Sequence, residues 1–141
     1  NRRDYLQAEV EDWASCGSNL SNIKERIETH YFVVAVNQQS QIVGFSSITP
    51  QGYLHSIFVH KDFQGEGIAT MLLEEIERYA ITAGITRITS EVSLTARPFF
   101  EKKGYAVEKE QKRKANQLSL TNFLMAKEVA FLEYYNKKVT D

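Results

Sequence analysis

A largely apolar strand that runs through a glycine turn into an amphipathic helix constrains the fold of this chain most. Residues 53–60 predict a strand with apolar side chains on both faces, which is typical of a central strand. After Gly65 and Gly67, apolar side chains repeat at helical spacing over residues 68–80. Gly84 is placed to end this helix, because glycine tolerates the left-handed backbone beyond a helix terminus. We therefore expect a strand–helix unit at the centre of the fold.

The flanking segments alternate between helical and extended patterns. Periodicity predicts helices over 5–14, 21–29 and 95–103, and strands over 31–36, 41–49, 85–92, 105–111 and 117–127, with a closing turn at 112–116. Pro98 is compatible with its helix because it falls in the first turn, where backbone amides lack helical partners. This order predicts an α/β fold with a strand–helix–strand crossover and antiparallel hairpins beside it.

Composition limits the class of protein. A chain of 141 residues is long enough for one core, so we expect a single domain over 1–141, with 128–141 as a C-terminal tail. The net charge of −1 without a basic stripe gives no support to nucleic-acid binding. No apolar run approaches the roughly 20 residues that cross a bilayer. Because Cys16 is the single cysteine, no internal disulfide can form, and we expect a cytoplasmic protein.

The turn at residues 64–69 predicts a ligand that carries phosphate. It opens a helix, where unpaired backbone amides and a partial positive charge favour anions. Glycines allow these amides to approach an anion without a Cβ in the way. A glycine turn that binds no ligand is the alternative, and the turn by itself does not exclude it.

Three ligand classes use such turns, and the residues discriminate among them. A nucleoside-triphosphate loop needs Lys and Ser or Thr after its last glycine, but Ile68 and Ala69 follow Gly67. A dinucleotide fingerprint needs glycine or alanine where this chain has Thr70, and strand–helix–strand units where it has a hairpin. The third class holds the pyrophosphate of CoA, with the pattern Gln/Arg-x-x-Gly-x-Gly/Ala. Residues 64–69, Gln-Gly-Glu-Gly-Ile-Ala, satisfy that pattern.

A second motif makes the likeness to a family explicit. Residues 93–105 read Ser-Leu-Thr-Ala-Arg-Pro-Phe-Phe-Glu-Lys-Lys-Gly-Tyr. Together with the turn, this stretch resembles the Gcn5-related N-acetyltransferases (GNAT), in particular small bacterial members, and the likeness covers residues 32–127. The resemblance implies a mixed, mostly antiparallel central sheet with helices on both faces and a splayed strand pair that holds CoA. Family domains usually begin with a strand that this chain lacks, so we expect a stretch before residue 1.

The resemblance also implies a cofactor and its binding residues. The cosubstrate would be acetyl-CoA, and no metal is expected. Ile57, Phe58 and Val59 would contact the pantetheine arm, with an amide of Phe58 or Val59 stabilising the oxyanion. The pyrophosphate would be wrapped by Gln64, Gly65, Glu66, Gly67, Ile68, Ala69 and Thr70. The second motif would contribute Ser93, Ala96, Phe99 and Phe100.

Acetyl transfer to an amine needs a base, an oxyanion site and a proton for the leaving thiolate. His55 is the first candidate for the base, because the resemblance places a histidine there in arylalkylamine acetyltransferases and histidine titrates near neutral pH. Glu91 is the alternative base. The family's usual acid is a tyrosine where this chain has Phe100, which cannot donate a proton. Tyr105 and Tyr53 are the remaining candidates for the acid.

Two functions remain open at this stage. The first is an acetyl-CoA-dependent N-acetyltransferase that moves an acetyl group to a primary amine, on a small molecule or a peptide, by direct attack on the thioester. The second, motivated by Phe100, is a non-catalytic acyl-CoA sensor on the same fold. Neither nucleic acid nor membrane is an expected partner. The aromatic tail residues Phe131, Tyr134 and Tyr135 pack either on their own domain or across a homodimer.

Overall fold

The computed structural model describes residues 28–55, 57–115 and 118–129. These divide between two compact units, Asn1–Thr49 with Ile57–Ile76 and Pro50–Ser56 with Glu77–Asp141. Glu28 and Thr29 are helical, as the end of the helix predicted over 21–29 requires. The rest of that helix, the helix predicted over 5–14 and nearly all of the tail lie outside the described residues.

The described elements follow the predicted order of strands and helices. They are β1 (Tyr31–Val36), β2 (Ile42–Ile48), β3 (Phe58–Val59), a 3₁₀ turn (Lys61–Phe63), α1 (Ile68–Thr82), β4 (Arg87–Ser93), α2 (Arg97–Lys102), β5 (Ala106–Ala115) and β6 (Leu118–Glu128). The strands form two three-stranded sheets, in the orders β1-β2-β3 and β4-β6-β5. Every pairing between these strands is antiparallel. The predicted mixed α/β class with mostly antiparallel pairing is confirmed.

The first unit is built on the β1–β2 hairpin. Its turn is held by Asn37, whose Oδ1 accepts hydrogen bonds from the backbone N–H groups of Gln39 and Gln41 at 3.0 and 2.9 Å. In the unit's core the ring of Phe45 stacks between those of Phe32 and Phe58, with centroids 5.6 and 5.0 Å away. These apolar contacts fix β3 against β2, and β3 leads into the glycine turn.

Gly44 on β2 lies in close contact with both β3 and α1. A Cβ added at this residue would lie 2.8 Å from the carbonyl oxygen of Phe58 and 3.1 Å from side-chain atoms of Ile68 and Leu72. Only a residue without a side chain allows this packing. Gly44 therefore allows β3 and α1, the two elements that flank the glycine turn, to pack tightly on β2.

The second unit is built on the sheet of β4, β6 and β5. The sheet buries one face, which carries Ile88 and Val92 of β4 and Phe123 and Met125 of β6. Where α1 and α2 end, Gly84 and Gly104 have φ values of 81° and 95°. Both glycines end their helices as predicted, because such φ values suit glycine best.

The prediction of one continuous strand over residues 53–60 is wrong. Its first part bonds to β4, since the N–H of Leu54 donates to the carbonyl of Thr89 at 2.7 Å and the N–H of Thr89 donates to the carbonyl of Gly52 at 3.0 Å. Its last part, Phe58–Val59, pairs with β2 instead. The change of hydrogen-bonding partner within the segment divides it, and apolar patterning does not reveal such a change.

The closing hairpin is longer than the sequence predicts. Polar residues 112–115 were expected to form its turn, but they belong to β5, which pairs with β6 as far as Ala115 and Leu118. A two-stranded edge of this kind tolerates a polar sequence because both of its faces can stay partly solvated.

A polar contact joins the C-terminal half of α1 to the second sheet. The Tyr105 hydroxyl donates to the Glu77 carboxylate at 2.8 Å, and Lys127 Nζ lies 3.2 Å from both oxygens of that carboxylate. Tyr105 is 3% exposed. Burial, followed by the charge and the hydrogen bond of Glu77, raises the pKa of the Tyr105 phenol far above its usual value of 10.0.

We expect Gly44→Ala to lower the free energy of unfolding by about 1–3 kcal/mol, because the new methyl group must displace a backbone carbonyl. Urea denaturation followed by circular dichroism would measure the change. The matched substitution in the same hairpin is Ser40→Gly, since Ser40 has a φ of 63° and glycine adopts that conformation without strain. We expect Ser40→Gly to keep or raise stability. An unchanged urea midpoint for Gly44→Ala would contradict the packing described above.

Tyr105→Phe should cost about 1–2 kcal/mol of stability at pH 7, because Glu77 loses a donor. Above about pH 10 the unfolded chain releases the phenol proton while the folded protein keeps it, so the wild type loses stability with rising pH. The variant lacks this contribution, and its deficit should narrow between pH 9 and 11 by about 1.4 kcal/mol per pH unit above the ordinary tyrosine pKa. Urea denaturation across that range would measure it, and a constant deficit would refute the assigned pKa shift.

Candidate active site

The glycine turn between the 3₁₀ turn and α1 has the backbone geometry that phosphate binding needs. Gly65 and Gly67 have φ values of 83° and 81°, in the left-handed region that favours glycine. A Cβ built at either residue would meet no atom within 4 Å, so the side of the turn that it would occupy is open. Gln64, Gly65, Glu66 and Gly67 are all exposed. The turn therefore presents its backbone outward.

The amides at the start of α1 are available to a ligand. The first helical hydrogen bond that involves the turn runs from the N–H of Met71 to the carbonyl of Gly67, at 3.1 Å. Within the described part of the chain, the N–H groups of residues 68–70 have no hydrogen-bond acceptor. Such donors, together with the helix dipole, are the groups that an anion such as a pyrophosphate requires. The residues present fit the group that the resemblance implies.

The register of β3 distinguishes between its two backbone amides. The N–H of His60 donates to the carbonyl of Val43 at 2.8 Å, and Gly44 and Phe45 lie opposite Val59 and Phe58. Because hydrogen-bonded and non-hydrogen-bonded pairs alternate along an antiparallel ladder, Phe58 bonds to β2 and the N–H of Val59 points away from it. Of the two residues that the resemblance suggests for the oxyanion, Val59 has the available amide.

Two side chains hold the strand end and the turn in place. His60 begins the 3₁₀ turn, and its Nδ1 accepts a hydrogen bond from the N–H of Asp62 at 3.2 Å. Gln64 Nε2 lies 3.5 Å from the carbonyl oxygen of Val59, which is a weak contact on an exposed surface. The Gln64 side chain thus bridges β3 and the turn that follows it.

The second unit brings the predicted bases near further polar groups. The rings of Tyr53 and His55 meet edge to face with centroids 4.9 Å apart. The Tyr53 hydroxyl lies 3.4 Å from Glu91 Oε1, and Asn122 Nδ2 lies 3.5 Å from Glu91 Oε2. His55 and Glu91 are both half-buried. Each is thus connected to Tyr53, one by ring contact and the other by a long hydrogen bond.

The predicted second motif forms the start of α2. The N–H of Ala96 donates to both the hydroxyl and the carbonyl oxygen of Ser93, at 3.1 Å each, and so closes the turn that follows β4. Phe100 is 5% exposed, and its ring meets those of Phe99 and Tyr105 edge to face. Phe100 thus occupies a packed core position, and Phe99 is the more accessible of the two phenylalanines.

Tyr105 is poorly placed to act as a general acid. Its hydroxyl proton is engaged by the Glu77 carboxylate, and the buried phenol has a strongly raised pKa. A donor to a thiolate should instead have a pKa near that of the acceptor. This geometry favours a structural role for Tyr105, and it leaves Tyr53 as the other tyrosine that sequence reasoning proposed.

Sequence reasoning missed two polar residues, Gln111 and Asn122. They are directly paired across β5 and β6. The turn predicted at 112–116 would have placed Gln111 beside residue 117, so the pairing could not be foreseen. The available signal was the run of polar residues in 108–114, which is unusual for a strand and points to a hairpin with a solvated or ligand-facing side.

None of the described helices combines the length and apolar character that a bilayer span requires. Within the described residues, no three side chains of His, Cys, Asp or Glu come together as a metal-ligand group.

Comparison with known sequences shows the family of this chain. A family model described as an acetyltransferase (GNAT) domain matches residues 1–128. The chain is 29% identical over 122 residues to the uncharacterized N-acetyltransferase YafP of Escherichia coli, covering 86% of this chain and 75% of that protein.

Solved structures show the same fold. A Gcn5-related N-acetyltransferase from Rhodopseudomonas palustris matches with a TM-score of 0.71 and 28% identity, over 84% of this chain and 74% of the other. An aminoglycoside 6'-N-acetyltransferase complexed with coenzyme A matches with a TM-score of 0.70 and 21% identity, over 89% of each chain. Because the family model spans most of the sequence, this chain belongs to the GNAT family of acetyltransferases.

Proposed function

We propose that the protein transfers the acetyl group of acetyl-CoA to a primary amine by direct attack of the amine on the thioester. The observation that carries the proposal is the turn at residues 64–70, where two glycines with positive φ accompany three amides that have no acceptor within the described residues. Such a start of a helix suits an anion. Support also comes from the GNAT neighbour whose structure contains coenzyme A.

The proposed chemistry has one bond-forming and one bond-breaking event. The neutral amine nitrogen attacks the thioester carbonyl carbon, the C–S bond breaks, and the products are an amide and the CoA thiol. The amine's surplus proton passes to a base, and the departing sulfur gains a proton. In our proposal the N–H of Val59 donates to the carbonyl oxygen as negative charge develops on it.

We assign the base to His55 and retain Glu91 as the alternative. Both lie in the second unit with Tyr53, and a histidine suits an amine acceptor near neutral pH. For the acid, we propose Tyr53 in preference to Tyr105, because the contact of its hydroxyl with Glu91 is long and Tyr53 is only half-buried. This assignment places the base and the acid on neighbouring residues of one short segment.

One observation favours a second candidate function, a non-catalytic acyl-CoA sensor. Phe100 occupies the position of the family's usual acid, and it is buried among Phe99 and Tyr105. Binding of acetyl-CoA without thiol release on any amine would favour the sensor. Failure of the complete chain to bind acetyl-CoA by calorimetry would exclude both functions.

Gly67→Ala should weaken acetyl-CoA binding by about 10-fold or more, because the methyl group enters the open side of the turn and the new residue resists a positive φ. Gly84→Ala is the matched control. Gly84 also has a φ of 81° and no atom within 4 Å of a built Cβ, but it lies at the other end of α1. Both variants should lose about 1 kcal/mol of stability from backbone strain.

Calorimetry with acetyl-CoA and urea denaturation would measure both variants together. Equal loss of acetyl-CoA affinity in Gly67→Ala and Gly84→Ala would show that strain alone explains the effect. That result would remove the turn from the proposed site.

His55→Gln should flatten the acid limb of the pH profile of kcat/KM and lower its plateau by about 100-fold, as expected when a general base is lost. Thiol release at saturating acetyl-CoA across pH 6–9 would measure the profile, with His30→Gln as a control for a histidine outside the proposed machinery. If Glu91→Gln flattens the limb and His55→Gln leaves it in place, the alternative base is correct.

A further inference from the structure

The sheet of the second unit has one polar, half-buried face that the proposed chemistry does not use fully. Residues that pair across strands share a face, and alternate residues of a strand lie on the same side. Gln111 pairs with Asn122, Asn122 pairs with Ser93, and Glu91 lies two residues before Ser93 on β4. Glu91, Asn122 and Gln111 therefore line one face across all three strands, opposite the face that buries Val92 and Phe123.

Two side-chain oxygens on this face lack a hydrogen-bond donor within the described residues. Asn122 Oδ1 and Gln111 Oε1 are both shielded from solvent, and neither receives a hydrogen bond from any group in the described chain. Buried polar atoms of this kind are rare, because each leaves a desolvation cost without compensation. Two of them on directly paired residues indicate that a donor outside the described protein completes the arrangement.

The orientation of the Asn122 amide is set by its neighbour. Asn122 Nδ2 lies 3.5 Å from Glu91 Oε2. If the amide were turned over, its oxygen would face a carboxylate oxygen, which is unfavourable. The free Asn122 oxygen is therefore a property of the site, and it lies on the face that carries the Glu91 charge.

We propose that Glu91, Gln111 and Asn122 form a subsite that binds a non-reacting ammonium group of the amine substrate, so that the preferred acceptors are diamines. An ammonium brings three N–H donors for the two amide oxygens and the carboxylate. The Glu91 carboxylate balances its charge, which a desolvated cation requires. This inference rests on the acetyltransferase function proposed above, with His55 and not Glu91 as the base.

The bound ammonium is a second group of the substrate and not the reacting amine. The reacting nitrogen must be neutral before it attacks. A carboxylate and two amide oxygens would hold it as a cation and would oppose its deprotonation. A subsite of this composition raises kcat/KM when it binds a part of the substrate that stays charged throughout the reaction.

A series of three amines of matched length tests the subsite: 1,4-diaminobutane, butylamine and 4-aminobutyrate. We expect kcat/KM for 1,4-diaminobutane to exceed that for 4-aminobutyrate by at least about 10-fold, because hydrogen bonds to a charged group are lost and a carboxylate is repelled. Butylamine should fall between them. The effect should appear mainly in KM.

Gln111→Met and Asn122→Leu remove the acceptor oxygens with little change in side-chain volume. Each should reduce the preference for 1,4-diaminobutane over butylamine by about 10-fold. Asn122→Asp should increase that preference by adding a negative charge. Glu110→Gln is the matched control, since Glu110 is exposed and lies on the opposite face of β5, next to Gln111. Its preference should equal that of the wild type.

Calorimetry separates failure of this inference from failure of the proposed function. If acetyl-CoA does not bind, the proposed function is wrong, and titration with 1,4-diaminobutane alone still tests the subsite. If acetyl-CoA binds but 1,4-diaminobutane shows neither binding nor preference, the subsite assignment is overturned. Equal effects of Gln111→Met and Asn122→Leu on all three amines would also overturn it, because a purely structural role predicts no selectivity.

Discussion

The close packing at Gly44 determines the geometry of the first unit. A backbone carbonyl of β3 and two side chains of α1 converge on this one residue, at distances that exclude a Cβ. The aromatic stack of Phe32, Phe45 and Phe58 supplies the apolar contacts that hold the same strands together. With the end of β3 and the start of α1 both fixed, the connection between them has little freedom. The glycine turn therefore connects two elements that are both packed against β2.

The sequence predicted the turn, the helix that follows it and the glycines that end both helices, because each depends on local chemistry. The predicted continuous strand over 53–60 was wrong, because its two ends form hydrogen bonds with different strands. The pattern of apolar residues does not indicate which strand a segment bonds to. The pairing of Gln111 with Asn122 was missed for a related reason. Cross-strand register depends on where the hairpin turns, and β5 extends four residues into the predicted turn of 112–116.

The residues that bear on chemistry fall into two groups with different physical character. The first unit provides backbone groups, namely the amides at the start of α1 and the Val59 N–H that points away from β2. The second unit provides side chains, with Tyr53 in contact with both His55 and Glu91, and with the Tyr105 hydroxyl bonded to Glu77. Phe100 is buried in the same core, so a phenyl ring without a hydroxyl group suits the packing at position 100.

The proposed anion site at the glycine turn has a consequence for how ligand binding would respond to pH. Its positive character comes from peptide dipoles, and the turn of residues 64–70 contains no lysine, arginine or histidine. Peptide groups do not titrate, so the attraction for phosphate stays constant wherever the protein remains folded. Glu66, the one ionisable side chain of the turn, is exposed to solvent. In the proposed site, pH would therefore act on phosphate binding through side chains around the turn and through the ligand, and not through the peptide dipoles themselves.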